Sequence, residues 1–518
     1  MDIPFIEIGT LPKDPVAPDA LQGIRRQQTH PSRWQGENWP EFAENLQNNG
    51  ITVEDNFAAK GVYVTDAGGL AHSMPHGIVK PKDAQQIAYL LQQAQHYRVP
   101  VTTRGGGLTT EGESVAYGGV VLDMTAMSEV LAVDPENLTV RVQAGIFWHS
   151  LAEVLRRQNL DYLSAPLNMT STVGGSLGVG GIDVNSAKFG CSADQTLSVQ
   201  VVTPTGEIVE CSDEENPELF QRVILGYGQF GVITEATLKI RPFTPAKMHY
   251  FYYRNLRTAI KDLHMLDRNE ASDYSGILTV MDRTVNLLVA FDSDEKEKVF
   301  LKKWRRRLRG HGEFIFALRA GLYYLFHPWR LNEALFLWDR KRRVFPELQR
   351  SEYMRDGKLY DRTVLFSRAV WNFWGNRQMV IPDLATNTEK FVTAVEKGNQ
   401  VCKKYFSYYA LYCVGIKLRP EHKTHYEMSS IPMDAEGWAY GCEFEPLFEG
   451  ETFSRDYIQS FKNEIYDVGV ELNTSYYRFG GLMKGYIRRV FEDELVDKHL
   501  AMKRQADPAM ILNRDVIF

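Results

Sequence analysis

Two short stretches combine glycine with hydroxyl residues in a way that suits anion binding. The first, residues 102–112, reads TTRGGGLTTEG, and the second, residues 171–182, reads STVGGSLGVGGI. Glycine loses more backbone freedom on folding than any other residue, so three in a row at Gly105, Gly106 and Gly107 call for a close approach that side chains would block. Bare backbone N–H groups reach phosphate oxygens closely, and neighbouring Thr and Ser hydroxyls add donors. Two glycine-rich turns of this kind in one domain suit a ligand with two adjacent phosphates. Either stretch alone reads more simply as a tight turn or a close strand crossing. Neither contains G-x-x-x-x-G-K-[ST] or the G-x-G-x-x-G spacing, so P-loop and Rossmann grips are disfavoured.

The elements that must hold these turns are readable around them. Asp83 is placed to cap a helix in which Ile87, Leu90, Leu91 and Ala94 fall on one face, ending at Val99-Pro100. A strand over 101–103 runs into the first glycines. A β-rich run over 119–124 and an alternating run over 138–144 follow, then a helix over 148–158 with Leu151, Val154 and Leu155 on one face. After the second glycines, 197–202 and 207–210 read as a hairpin across Pro204-Thr-Gly206, and 231–240 as a further strand. These short connections predict an α+β domain over 45–243. Residues 1–44, rich in Pro, Gln and Trp, read as an arm over it. From about 244 the texture changes to more aromatics and longer helices, giving a second α+β domain of sheet covered by helices over 244–475. Residues 476–518 return to the first domain.

Composition sets the outer limits. The 518 residues are 44% hydrophobic and 24% charged, which argues for a globular protein and against disorder or an integral membrane protein. Five scattered cysteines, Cys191, Cys211, Cys402, Cys413 and Cys442, form no C-x-x-C pair, so a zinc site and a disulfide framework are both disfavoured. The N-terminus MDIPFIEIGTLPKDP lacks a basic and then apolar leader. A cytoplasmic location is expected. Net charge is −6, yet residues 302–343 carry twelve Lys/Arg against three Asp/Glu. This segment runs from KKWRRRLR at 302–309 through an apolar stretch at 314–326 to DRKRR at 339–343. The apolar stretch is interrupted by Arg319 and is too short to span a bilayer. It reads either as a helical cap with a solvated basic rim or as a surface lying on anionic lipid, which would suit a lipid-like substrate. No RNA-binding motif accompanies it, so nucleic acid is not expected as a partner.

At this point the residues carry a resemblance. Arg104 to Glu113, RGGGLTTEGE, resembles the R-G-x-G-H-S-x-x-G-Q loop of FAD-linked oxidoreductases with the p-cresol methylhydroxylase or vanillyl-alcohol oxidase type of FAD domain. Residues 75–81, PHGIVKP, are similar to the opening segment of that domain. The run from TVGGSL at 172–177 to GQFGVIT at 228–234 resembles the cytokinin dehydrogenases most. KRQADPAMILN at 503–513 is similar to the family's closing segment. The resemblance covers about 66–243 and 495–518. It implies a two-part FAD-binding domain with a separate substrate domain. It also implies that Gly105, Gly106, Gly107, Leu108, Thr109 and Glu113 run along the pyrophosphate and ribityl portion. Thr172, Val173, Gly174, Gly175, Gly178 and Ile182 would form the second wall, Ile233 would touch the adenosine side, and Asn513 would lie near the isoalloxazine.

The chain also departs from that pattern. Leu108 stands where many relatives bond a histidine to the flavin, and Thr170 where others bond a cysteine, so non-covalent FAD is expected. His72 reads as an ordinary surface residue. The cytokinin dehydrogenases place a proton-accepting aspartate where this chain has Leu167, with Asn168 beside it, and leucine cannot act as a base. Asn168 is one catalytic candidate; the resemblance adds Tyr477 and Arg478, which lie where relatives bring a tyrosine to the flavin, although Tyr476 and Tyr477 read also as filling core space beneath it. Arg478 is suited to a carboxylate or to negative charge on the flavin. Glu443, Glu445, His422 and His425 are further polar candidates, each of which reads first as a strand-face or surface residue. The resemblance implies removal of a hydride from an amine, hydroxy acid or alcohol onto flavin N5, with oxygen, a quinone or a protein as electron acceptor. Two alternatives stay open: an FAD-dependent reductase of a lipid or isoprenoid double bond, and a non-catalytic flavin-fold module at a membrane surface.

Overall fold

The computed structural model describes residues 34–166, 168–182, 185–244, 247–279, 285–312, 380–406, 409–417, 432–446, 454–476, 487–489, 491–514 and 516. Strands β1 (Gly77–Val79), β2 (Val101–Arg104) and β3 (Val120–Asp123) make a small parallel sheet in the order β1-β3-β2. Its helical cover is Ala84–Tyr97. Asp83 accepts the Gln86 N–H at 2.8 Å, and Ile87, Leu90, Leu91 and Ala94 are fully buried. The helix stops at Arg98, which adopts the left-handed conformation, two residues before Pro100.

Strands β4 (Val130–Asp134), β5 (Thr139–Gln143), β6 (Leu160–Tyr162), β7 (Thr196–Val202), β8 (Ile208–Ser212) and β9 (Val232–Pro242) form an antiparallel sheet ordered β4-β5-β9-β7-β8, with β6 against the end of β9. The alternation along β9 puts Val232, Thr234, Ala236, Leu238 and Ile240 inside. Helix Trp148–Arg156 buries Trp148, Leu151 and Leu155 against this core.

One element differs from expectation. The second glycine run is not a turn but a short helix, Val173–Val179. Thr172 caps it, its hydroxyl accepting the Gly175 N–H at 3.2 Å. The cap satisfies an otherwise orphaned donor and offsets the poor helix propensity of Gly174, Gly175 and Gly178.

The third sheet is antiparallel and seven-stranded. It contains β10 (Lys247–Tyr253), β11 (Tyr274–Thr279), β12 (Val285–Phe291), β13 (His311–Gly312), β14 (Asp383–Asn387), β15 (Tyr409–Lys417) and β16 (Trp438–Pro446), ordered β13-β10-β12-β11-β15-β16-β14. Every residue of β12 is buried, as expected of a strand covered on both faces. Helices Leu256–Arg268, Thr388–Tyr405 and Arg455–Leu472 pack on it and share its core. Lys188, on the short helix Ser186–Phe189, pairs with Asp273 at 2.7 Å and Asp292 at 3.0 Å beside the third sheet, and Arg241 of β9 joins the second sheet to the third through the same Asp292 at 3.0 Å.

The chain end returns to the first sheet. Leu512 bridges Val101 in parallel, and helix Asp493–Ala506 delivers a buried ion pair, Lys503–Asp507, at 2.8 Å. Lys503 Nζ donates to the carbonyls of Gln229 and Leu512, while Asp507 accepts from Gln95 Nε2 and from the N–H groups of Ile511 and Leu512. The KRQADP segment is thus a structural clamp. Among the described residues no helix is long and apolar enough to cross a membrane.

Candidate functional site

The two glycine stretches meet. A Cβ on Gly105 would lie 2.1 Å from Thr172 Oγ1, and one on Gly106 would lie 2.6 Å from the Thr170 carbonyl oxygen. A Cβ on Gly107 would fall 2.4 Å from the Arg104 guanidinium, and Gly107 has φ +69°. Real Cβ atoms do not approach that closely, so Gly105 and Gly106 are needed to seat the first stretch against the 170–172 segment, and Gly107 to fold the turn over Arg104. Their nearest protein neighbours thus already demand glycine, and the same three residues line the cleft described next. The opposite holds at Gly178, where an added Cβ would meet nothing within 4 Å. That glycine borders a cleft.

The cleft runs between the two stretches and is bordered by Asn513 of the C-terminal segment and by residues beside and on the third sheet. Its walls include Gly105 to Thr110, Glu113, Thr172, Gly174, Gly175, Gly178, Ile182, Ile233 and Asn513, with Ile381 and Glu443 from the side of the third sheet. The N–H groups of Gly106, Gly107, Leu108 and Thr109 donate to no protein acceptor among the described residues. Four consecutive unspent donors on a partly exposed turn fit a phosphate-bearing group. On the second stretch the donors are already used. Gly174 N–H bonds the Ala144 carbonyl at 2.7 Å and Ser176 N–H bonds the Thr172 carbonyl at 3.0 Å. That stretch therefore supplies a wall rather than a grip.

The first turn is pinned from below. Asp66 Oδ2 accepts the Thr109 hydroxyl at 2.9 Å and the Gly112 N–H at 2.8 Å. Burial pushes its carboxyl up to about 6, although those two hydrogen bonds pull the other way. Arg104 Nη1 donates to the carbonyls of Thr65 at 3.0 Å and Ser114 at 3.1 Å, and its guanidinium lies 5.4 Å from the Tyr63 ring centroid. Burial lowers its basicity, opposed by Asp66 and Asp123. Tyr63 donates to Asp123 at 2.6 Å, and burial followed by that bond raises its hydroxyl well above the usual range. Glu111 is buried against Lys462 and Tyr466 of the Arg455–Leu472 helix.

Of the residues named from sequence, Gly105, Gly106, Gly107, Leu108, Thr109, Glu113, Thr172, Gly174, Gly175, Gly178, Ile182, Ile233, Asn513 and Asn168 all line the cleft. Val173 does not: its side chain is fully buried in the core of the second sheet. Asn168 Oδ1 accepts the Thr170 N–H at 3.1 Å and the Thr170 hydroxyl at 2.6 Å, so its amide carbonyl is committed to that turn. Asn513 is equally committed. Its Nδ2 donates to Thr103 Oγ1, Tyr227 O and Gly228 O, and its Oδ1 accepts the Thr103 N–H at 2.8 Å. It stitches the chain end to β2 beside the cleft. His72 is exposed. Tyr477, Arg478, Leu167, His422, His425 and the Glu445 side chain lie outside the described residues, as do residues 313–343 of the basic segment.

Sequence reasoning missed Asp66, Lys462, Tyr466 and Ile381 altogether. None sits in a recognisable motif, and Lys462 reaches the turn across 352 positions of sequence. In the sequence Glu443 is one carboxylate among several. Its place on β16 facing the cleft is a product of the third sheet's topology.

Comparison with known proteins agrees with this geometry. Residues 75–212 match the FAD binding domain family. An uncharacterised oxidoreductase from the fasciation locus of Rhodococcoides fascians is 35% identical over 204 residues, 38% of this chain and 45% of that protein. Cytokinin dehydrogenase 2 of Arabidopsis thaliana is 31% identical over 205 residues, 39% of this chain and 40% of that protein. D-lactate dehydrogenase of Anaerostipes hadrus is 30% identical over 193 residues, 36% of this chain and 41% of that protein. The matched region thus spans less than half the length of these curated relatives. Among solved structures, alkyldihydroxyacetonephosphate synthase superposes over 96% of this chain and 92% of its own, with a TM-score of 0.65 at 16% identity, a likeness of fold. The unspent donors of the 106–109 turn, the open face at Gly178 and these matches agree, and the chain carries an FAD-binding domain of the p-cresol methylhydroxylase type, shared with a family of FAD-dependent oxidoreductases.

Proposed function

We propose that this protein is an FAD-dependent oxidoreductase that takes a hydride from a small organic or amphipathic substrate, such as an amine, hydroxy acid or alcohol. The observation that carries the reading is the composition of the cleft: its walls come from both glycine stretches and also from Ile381 and Glu443 beside and on the third sheet. A cofactor held by the first domain would therefore present part of itself to the second, where a substrate can be oriented. When bound, FAD supplies the hydride acceptor at N5. The chain's own residues do the rest. The N–H groups of 106–109 hold phosphate oxygens, Gly178 leaves room, and the buried Ile381 side keeps water from the reacting end. Glu443 offers a carboxylate to a substrate N–H or O–H.

The FAD is held without a covalent bond in this reading. Leu108 cannot form one, and no histidine or cysteine lines the cleft among the described residues. Oxygen, a quinone or a protein would take the electrons onward. The location is cytoplasmic, with contact to an anionic membrane surface through 302–343. Among the described part of that segment, Lys302, Lys303, Arg306, Arg307 and Arg309 are exposed, while Trp304 and Leu308 anchor it to the core.

The deciding experiment is anaerobic. Candidate amines, hydroxy acids and isoprenoid alcohols are added to the oxidised holoprotein and the flavin absorbance is followed. Bleaching by one of them supports the dehydrogenase. Bleaching by NAD(P)H alone points to a reductase of a lipid or isoprenoid double bond, and bleaching by neither points to a binding module.

A further inference from the structure

We propose that the buried pair Glu111–Lys462 is a positioning device that couples cofactor affinity to the placement of the Arg455–Leu472 helix. The inference rests on the FAD reading of the first domain and adds to it a control from the second. Glu111 belongs to the turn that carries the unspent donors, and only 3% of it is exposed. Lys462 is fully buried on a helix that packs against the third sheet.

The contacts converge on one oxygen. Glu111 Oε1 pairs with Lys462 Nζ and accepts the Tyr466 hydroxyl at 2.8 Å, and Lys462 and Tyr466 stand one helical turn apart. Lys462 Nζ also reaches the Thr110 carbonyl at 3.4 Å, so the helix grips two consecutive residues of the turn. Glu111 Oε2 has no partner among the described residues. Glu111 N–H in turn bonds Glu113 Oε2 at 2.8 Å, and Glu113 lines the cleft. On the far side the Tyr476 hydroxyl donates to the Tyr466 carbonyl. Gly469 makes room for that hydroxyl, since a Cβ there would lie 2.6 Å from it. A chain of contacts therefore runs from the 106–109 turn, through Glu111 and the helix, to Tyr476, next in sequence to Tyr477 and Arg478.

Burying two charges gives little net stability compared with apolar residues of the same volume, but separating them leaves an uncompensated charge in a low dielectric. The pair therefore tolerates one register of turn against helix and penalises others. Any ligand that fixes the N–H groups of 106–109 fixes Glu111, and the helix must stay with it. By linkage the reverse holds: a helix displaced from Glu111 weakens ligand binding at the turn by the same factor.

The test uses the full chain, stripped of FAD and reconstituted. Glu111→Gln combined with Lys462→Met removes both charges and leaves neither unpaired. Three quantities are read: the FAD dissociation constant, the melting temperature without FAD, and hydrogen exchange of peptides from 455–472 with and without FAD. The expected result is a loss of FAD affinity of about tenfold, a melting temperature near wild type, and loss of the FAD-dependent protection of 455–472. Unchanged affinity with retained protection overturns the proposal. So does a lower melting temperature with unchanged affinity, which would make the pair purely structural. If the double variant does not fold, Tyr466→Phe removes one donor to Glu111 and should weaken FAD binding about threefold while reducing the same protection; unaltered binding and protection would again overturn it. Wild-type protein that binds no FAD would instead refute the cofactor reading itself.

Discussion

Gly105 and Thr172 lock the two halves of the cofactor cradle together: the Cβ that Gly105 lacks would sit 2.1 Å from Thr172 Oγ1. The same hydroxyl caps the Val173–Val179 helix by accepting the Gly175 N–H. Gly105→Ala must therefore displace the cap or the turn. The expected outcome is loss of FAD affinity of at least about tenfold together with about 1–3 kcal/mol of stability, the usual range for overpacking. Flavin fluorescence quenching and urea unfolding check the two effects. Normal affinity in a normally stable variant would show that the stretches do not depend on each other.

Gly178→Ala separates folding from binding. Among the described residues an added methyl has no neighbour within 4 Å outside its own helix, and Gly178 lies inside that helix, where alanine is favoured over glycine by about 0.8–1.0 kcal/mol. The FAD-stripped variant should melt at a higher temperature than wild type. Its FAD affinity should nevertheless fall, because the methyl projects into the cleft. A variant that gains stability and binds FAD normally would move the cofactor away from this wall.

These two glycines also show how far the sequence could be read. Clustering of glycine with Thr and Ser was enough to mark both stretches, because steric demands on the backbone are recorded locally. The helix Ala84–Tyr97 was legible for the same reason, with Asp83 at one end and Pro100 beyond the other. What each glycine faces was not legible. Gly105 meets a residue 67 positions away, while Gly178 meets none, and no local pattern distinguishes them. Asp66, Lys462 and Glu443 come to the site through sheet order and domain packing, which leave no periodic trace at those positions. Val173 lies within the matching motif yet is a core residue, since adjacent helix positions face different ways.

Asp66 makes stability without FAD pH-dependent. Its folded value is about 6 against an ordinary 3.8, so between those values the native state holds a proton that the unfolded chain has released. The contribution is complete below about 3.8 and is lost as pH rises through 6, amounting to about 3 kcal/mol. Urea midpoints of the FAD-stripped protein measured from pH 4 to 7 should fall more steeply for wild type than for Asp66→Asn, the difference arising below about pH 6. Parallel profiles would mean that the carboxyl is not desolvated beneath the turn.

The proposed non-covalent hold, with Leu108 where relatives carry the bonding histidine, predicts a removable cofactor. Acid precipitation of the holoprotein should leave yellow flavin in the supernatant and a colourless pellet, as mass spectrometry of the intact chain at its unmodified mass would confirm. Leu108→His in the same assay tests whether the position can be converted: a fraction of the flavin should then remain with the pellet, because a ring nitrogen occupies the place that relatives use. Colour retained by the wild-type pellet would contradict the reading of this position.

The basic segment beginning at Lys302 combines a buried anchor with exposed cations. Its described part is half folded and half presented. Phe300, Trp304 and Leu308 are buried, and the cations Lys303 and Arg307 each lie 4.8 Å from the Trp304 ring centroid. Val299 and Leu301, at 50% and 42% exposed, share the outer surface with Lys302, Lys303, Arg306 and Arg309. Exposed apolar groups among cations suit an anionic bilayer surface, where each cation near the headgroups is worth about 1 kcal/mol and the attraction is screened by salt. The holoprotein should float with phosphatidylserine–phosphatidylcholine vesicles at low ionic strength and be released at about 0.5 M salt. Replacing Lys302 and Lys303 by Glu should abolish flotation without altering flavin absorbance, because neither residue approaches the cleft. Equal recovery with purely phosphatidylcholine vesicles would mean that charge does not drive the association.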